Sequence, residues 1–235
     1  MRYYISDLHF YHQVLNEHMD CRGFTDGEEM NRYMIQQWNQ KVRENDEVVI
    51  LGDLSVGKGK ATNAIVEQLK GKLFLIQGNH DRYIGDKHFD ESRFGWIKPY
   101  AELYDNKRKV ILSHYPIVCY NGQYRKKKDG SDRTYMLYGH VHNTFDELLV
   151  DQFQRLTREF RREIKGQEGL QNIPCHMINC FCMFSDYQPL TLDEWIENDR
   201  RRREGPTEDR GLRELPAQEV RLENAQDLEV SEDLS

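Results

Sequence analysis

The chain has 235 residues, enough for one ordinary domain with a buried core. Charged residues make up 31% and hydrophobic residues only 38%, so part of the chain is expected to lie outside that core. Residues 204–235 hold ten acidic and three basic residues, which carries the whole formal charge of −7 and leaves 1–203 neutral, with no overall basic signature for nucleic acid.

No run reaches the ~20 apolar residues of a membrane span. Met1-Arg2-Tyr3-Tyr4-Ile5-Ser6-Asp7 puts an acid where a secretory leader is apolar, which argues against secretion. Cys21, Cys119, Cys175, Cys180 and Cys182 are an odd set without framework spacing, read as reduced thiols of a cytoplasmic protein.

In chain order, short apolar runs at 3–5, 48–51, 73–76, 110–112, 136–138 and 177–181 read as buried strands. Helical signals lie between them. Thr25 with Glu28 forms a capping box ahead of Met30, Tyr33, Met34, Gln37 and Trp38. Ala61, Ile65 and Leu69 mark a second helix that ends before Gly71. A third is expected over 145–164, with Leu148, Leu149, Phe153, Leu156 and Phe160 as its apolar stripe. Thr191 and Glu194 cap a last helix through Trp195. The alternation predicts a layered α/β domain over 1–199, followed by a charged, disordered acidic tail over 200–235.

Five of the strands run into metal-capable residues. They are Asp7 and His9, then Asp53 after Gly52, then Asn79 and His80 after Gly78, then His114, then His140 and His142 after Gly139. Side chains two apart in extended backbone point the same way, so Asp7 with His9, and His140 with His142, should each converge on one pocket. Strand ends of an open α/β sheet form the crevice where ligands bind. Two carboxylates, an amide oxygen and four imidazoles, with no thiolate, suit manganese, iron or zinc. Seven donors are too many for one catalytic ion and suit two ions that share a carboxylate.

The ordered set Asp-x-His, Gly-Asp, Gly-Asn-His-Asp, His and Gly-His-x-His resembles the calcineurin-like metallophosphoesterase superfamily. Within it the chain is similar to small bacterial and phage phosphoesterases, which also carry counterparts of Arg22-Gly23-Phe24, Trp38-Asn39, Asn179 and Pro189-Leu190-Thr191-Leu192. The resemblance spans residues 2–197. It implies a four-layer sandwich of two facing mixed sheets flanked by helices. It also implies metal-dependent hydrolysis of a phosphate ester by a metal-bridging hydroxide. Asp7, His9, Asp53 and His142 would hold one ion. Asp53, Asn79, His114 and His140 would hold the other, and His80 would serve the leaving oxygen. A phosphodiester or nucleotide-like substrate is favoured over a small phosphomonoester. A metal-binding scaffold without catalysis is the rival class.

Protein-phosphatase relatives continue Gly-Asp-x-x-Asp-Arg-Gly. Here Val56 and Gly57 replace the Asp that orients the histidine and the Arg that grips phosphate. Arg22 is the best remaining side chain for that grip. Gly52 to Lys58 also fits the start of a nucleotide-binding loop, but Gly59 follows in place of Ser or Thr and Asp53 would repel phosphates. The basic runs at 125–128 and 200–203 read as a solvated loop and a helix end, so nucleic acid is not the favoured partner. His12, His18 and His88 read as surface residues, His176 as structural, and Cys180 with Cys182 as core.

Overall fold

The computed structural model describes residues 1–163 and 168–204. The expectation for the acidic segment from 205 onward lies outside the described residues. Four parallel strands form the first sheet in the order β1 (Arg2–Ile5), β2 (Glu47–Ile50), β3 (Lys72–Ile76) and β4 (Phe94–Lys98). The second sheet runs β10 (Met177–Asn179), β7 (Thr134–Tyr138), β6 (Arg108–Ser113) and β5 (Tyr100–Asp105), with only β5 antiparallel to its neighbour. Four helices accompany them: α1 (Gly27–Lys41), α2 (Gly59–Val66), α3 (Phe145–Glu159) and α4 (Leu192–Glu204). A short antiparallel pair, β8 (Arg161–Glu163) and β9 (Leu170–Asn172), follows α3.

The period-two alternation of the strands builds the layers. Tyr4, Val49, Leu51 and Ile76 face Val110, Leu112, Leu137 and Ile178 in one core between the sheets. On the outer face of the first sheet, Tyr3, Ile5, Val48, Ile50, Leu73 and Leu75 pack on Met30, Met34 and Trp38 of α1 and Ile65 and Val66 of α2. Ile111, Met136, Tyr138 and Met177 face out from the second sheet toward Val150 and Phe153 of α3. The result is the expected four-layer sandwich. Each layer is covered by apolar surface that removes water from both sides of the strands, at roughly 25 cal/mol per Å² buried.

The two sheets are laced at the edge where β1 nears β10. Ser6 N–H donates to Cys180 O at 2.8 Å, and Cys182 N–H donates to Ser6 O at 3.1 Å. Trp195 of α4 adds an indole N–H to Tyr4 O at 2.8 Å. This lacing ties the segment after β1 to the segment after β10.

Three local expectations are corrected. The cap of α1 is Asp26, which accepts from Glu29 N–H at 2.7 Å while the Glu29 carboxylate accepts from Thr25, so the box sits one residue later than read. The third helix ends at Glu159, and of its apolar stripe Leu149 is 47% exposed, Leu156 48% and Phe160 55%, while Phe153 packs on the core. Its inward face is instead Glu147, Val150, Asp151, Gln154 and Thr157. The reason is that edge strand β10 needs acceptors. Met177 N–H donates to Gln154 Oε1 at 2.8 Å, and Cys175 N–H donates to Thr157 Oγ1 at 3.2 Å. Finally, the charged tail does not begin at 200: α4 runs on to Glu204 and ends, as expected, on a basic last turn. Arg202 and Arg203 turn inward onto Glu147, at 2.7 and 3.4 Å, and Arg203 also meets Asp151 at 2.5 Å.

Glu147 is the hub of that buried network. It also accepts from Tyr138 Oη at 2.7 Å and Asn179 Nδ2 at 3.1 Å. In Glu147→Ala the two guanidiniums keep Asp199 and Asp151 and Asn179 keeps His142 O, but the buried Tyr138 hydroxyl loses its acceptor, so the variant should cost about 2–3 kcal/mol in urea unfolding. A loss under about 1 kcal/mol would contradict this reading of the network.

Candidate functional site

All the metal-capable residues lie on loops that leave the carboxyl ends of strands. Parallel pairing of β1 and β2 continues beyond the strands, because Asp7 N–H donates to Gly52 O at 3.1 Å and His9 N–H to Asp53 O at 2.9 Å. The loops are not extended there. Asp7, His9, Asp53, His140 and His142 all sit at positive φ, between 48° and 70°. Each costs of order 1 kcal/mol outside glycine, and such strain gathers at functional sites. This corrects the extended-backbone reading. His140 and His142 separate into different groups of donors, one with Asp53 and His114 and the other with Asp7 and His9.

Close approach needs missing side chains. A Cβ on Gly52, at φ +91°, would overlap the His114 ring, and one on Gly139 would overlap the Asp7 carboxylate. With Gly139 bare, His140 N–H reaches Asp7 Oδ1 at 2.9 Å.

Donor atoms then cluster in two adjoining groups. In the first, His9 Nε2 lies 3.2 Å from His142 Nε2, and His142 Nε2 lies 3.6 Å from Asp7 Oδ1. In the second, His114 Nε2 lies 2.9 Å from Asn79 Oδ1, with the His140 ring 5.1 Å from the His114 ring. Asp53 joins them: its Oδ2 is 3.4 Å from His9 Nε2 and 3.4 Å from His114 Nε2.

The orientation of the rings decides what these groups can hold. Leu51 O accepts from His114 Nδ1 at 2.9 Å, so the proton of the neutral ring sits on Nδ1 and the Nε2 lone pair faces Asn79 Oδ1 and Asp53 Oδ2. Asp20 Oδ1 accepts from His142 Nδ1 at 2.8 Å and sets that ring the same way. Acceptors thus face acceptors in a buried place, and His9 Nδ1 has no hydrogen-bond partner among the described residues. A cation between them resolves the conflict, and the donor set fits a divalent metal.

Without a metal, protons take the cation's role. Burial opposes charge on His114, but Asp53 and Asp7 outweigh it and raise the imidazole to about 9. Burial opposes charge on His142 as well, and Asp20 and Asp7 likewise raise it to about 9. Burial wins at His9 and lowers it to about 3 against the pull of Asp7 and Asp53. Burial pushes the Asp7 carboxyl up, yet the hydrogen bond to His142 and the surrounding imidazoles hold it well below the usual range.

Supporting residues account for the rest. Asp81 accepts from Gly78, Asp53 and Leu54 N–H at 2.8 to 3.0 Å, so it fixes the bridging loop rather than the His80 ring. Burial raises its carboxyl to about 6 despite those bonds. His80 is half-buried, donates its N–H to Asp53 Oδ1 at 2.8 Å, and sets its ring 5.1 Å from His9. Arg22 is corrected from phosphate grip to strap. It is 8% exposed and donates to Asp20 Oδ2, Leu8 O and Asp7 O at 2.7 to 3.0 Å. His12, read as a surface residue, is half-buried beside His9 and His80. Asp20 was missed: it lies remote in sequence from its partner His142, and the nearby Arg22 was the only hint of a second role. His18 and His88 are exposed, as expected, and His176 Nε2 lies 2.9 Å from an Asp132 oxygen, away from the site. Among the described residues no helix is long and apolar enough to cross a membrane.

A metal held by His114 and His142 would have to displace their protons. Both rings are charged at pH 7 and free their lone pairs only as pH climbs toward about 9, so manganese affinity should rise over that interval. Titration calorimetry in two buffers of different ionisation enthalpy should register proton release at pH 7. Equal heats in the two buffers would contradict the assignment.

The chain is similar to several known proteins. A protein of Methanocaldococcus jannaschii is 35% identical over 148 residues, covering 62% of this chain and 72% of its own. The gene 66 protein of Mycobacterium phage L5 is 27% identical over 168 residues, covering 60% and 77%. A solved structure of a protein of unknown function from Aquifex aeolicus aligns over 84% of this chain and 98% of its own, with a TM-score of 0.58 at 20% identity, and shares the fold. The family model for calcineurin-like phosphoesterases matches residues 3–219, and the chain belongs to that family.

Proposed function

We propose that the protein is a two-metal phosphoesterase. The favoured substrate is a phosphodiester or nucleotide-like compound, with a small phosphomonoester second. The observation that carries this reading is the position of Asp53 Oδ2, 3.4 Å from donors of both groups. One carboxylate oxygen between two sets of ligands suits two ions with a common bridge. Asp7, His9, Asp53 and His142 would hold the first, and Asp53, Asn79, His114 and His140 the second. Manganese, iron or zinc fits a nitrogen and oxygen set without thiolate. Such ions supply Lewis-acid polarisation of phosphoryl oxygens and an activated water near neutral pH.

The chain's own residues do the remaining work. The five strained ligand residues hold their donors in place before substrate arrives, so little reorganisation is left for the reaction. His80 is anchored through its backbone to Asp53 and keeps its ring at the open side of the site. There it can give a proton to the departing oxygen. Val56 and Gly57, in place of Asp and Arg, argue against phosphoprotein substrates. All five cysteines are free thiols, which suits a cytoplasmic protein.

Metal-stripped protein restored with manganese should hydrolyse an aryl phosphodiester, and its ratio to the monoester gives the substrate class. Asp53→Asn should lose both metal and turnover. His80→Ala should keep its metal and lose kcat by about 10²- to 10⁴-fold. Metal binding without turnover on either ester would point to a scaffold instead.

A further inference from the structure

His12 stands at the site outside both groups of metal-capable donors. The loop after β1 turns back on itself: His12 N–H donates to His9 O at 3.1 Å, and the chain then enters a single wide helical turn, Leu15–Met19. This brings the half-buried His12 ring 5.4 Å from the His9 ring and 5.8 Å from the His80 ring, edge to face with both. Ring nitrogens of the three histidines lie within 4.8 Å of one another.

The tautomer of His12 is fixed locally. Leu15 N–H donates to His12 Nδ1 at 3.2 Å, so Nδ1 is the acceptor and Nε2 carries the proton of the neutral ring. Nε2–H is therefore a donor set in place by the backbone, beside the histidine that faces the leaving oxygen. Two positions that could have gripped phosphate do not. Gly57 has no side chain for it, and Arg22 is spent inside on Asp20, Leu8 and Asp7.

We infer that His12 is a substrate-binding residue that donates Nε2–H to a phosphoryl oxygen on the first-metal side, next to His80. It acts as a neutral hydrogen-bond donor, without a change of protonation. The role deepens the phosphoesterase reading and rests on it. A purely structural His12 would need only the Nδ1 acceptor that caps Leu15.

That difference sets the test. In His12→Asn the shorter side chain keeps an acceptor near the Nδ1 position and removes the Nε2 donor. In His12→Gln an N–H is returned near the Nε2 position. All variants are loaded with manganese and titrated with inorganic phosphate by calorimetry, then assayed on the aryl diester. H12N should bind manganese like the wild type and melt within about 2 °C of it. It should bind phosphate about tenfold more weakly and lose about 100-fold in kcat/KM. H12Q should recover part of the phosphate affinity. Phosphate affinity and turnover within twofold of wild type in H12N would overturn the proposal. His80→Ala is the control for the underlying reading: if the wild type turns over and H80A does not, that reading stands whatever H12N does. If the wild type hydrolyses neither ester, the phosphate titration alone decides the role of His12.

Discussion

Everything at this site depends on where one carboxylate is held. Asp53 Oδ2 lies 3.4 Å from a lone-pair nitrogen on either side, and burial removes the water that would otherwise separate such groups. In a low-dielectric place, acceptors facing acceptors repel unless positive charge lies between them. The raised imidazoles of His114 and His142 are the metal-free answer to that constraint. The pair of divalent ions we propose would answer it in another way.

The fold exists, in effect, to keep this arrangement rigid. Asp81 secures the Asp53 loop with three backbone bonds, and Arg22 ties the carbonyls of Asp7 and Leu8 to Asp20. Asp20 in turn aims His142, so a single strap links the backbone of one ligand to the ring of another. Lacing between Ser6 and residues 180 and 182 brings the ends of the two sheets together, and the Glu147 network holds α3 and α4 against the second. The polar inner face of α3 serves the same end, since an apolar one would leave the backbone of β10 without acceptors.

Much of this was legible in the sequence because it is local. Six short apolar runs became strands, and metal-capable residues directly follow five of them. Strands β4 and β5 escaped notice because they are half exposed and carry Gly95, Trp96 and Glu102, so no apolar run marks them. Three of the misreadings share one cause. Arg22, His12 and the stripe of α3 were judged from their neighbours in sequence, while their roles come from residues far along the chain or across a turn. A helical apolar stripe says that a face can be buried, not that it is. Positive φ at five non-glycine ligands left no trace in composition at all.

The central claim is that one oxygen of Asp53 bridges two ions, and crystals soaked with manganese address it most directly. Anomalous scattering should give two peaks per chain, about 3.5–4 Å apart, on either side of Asp53 Oδ2. A single peak, or two peaks that do not share Asp53, would contradict the account.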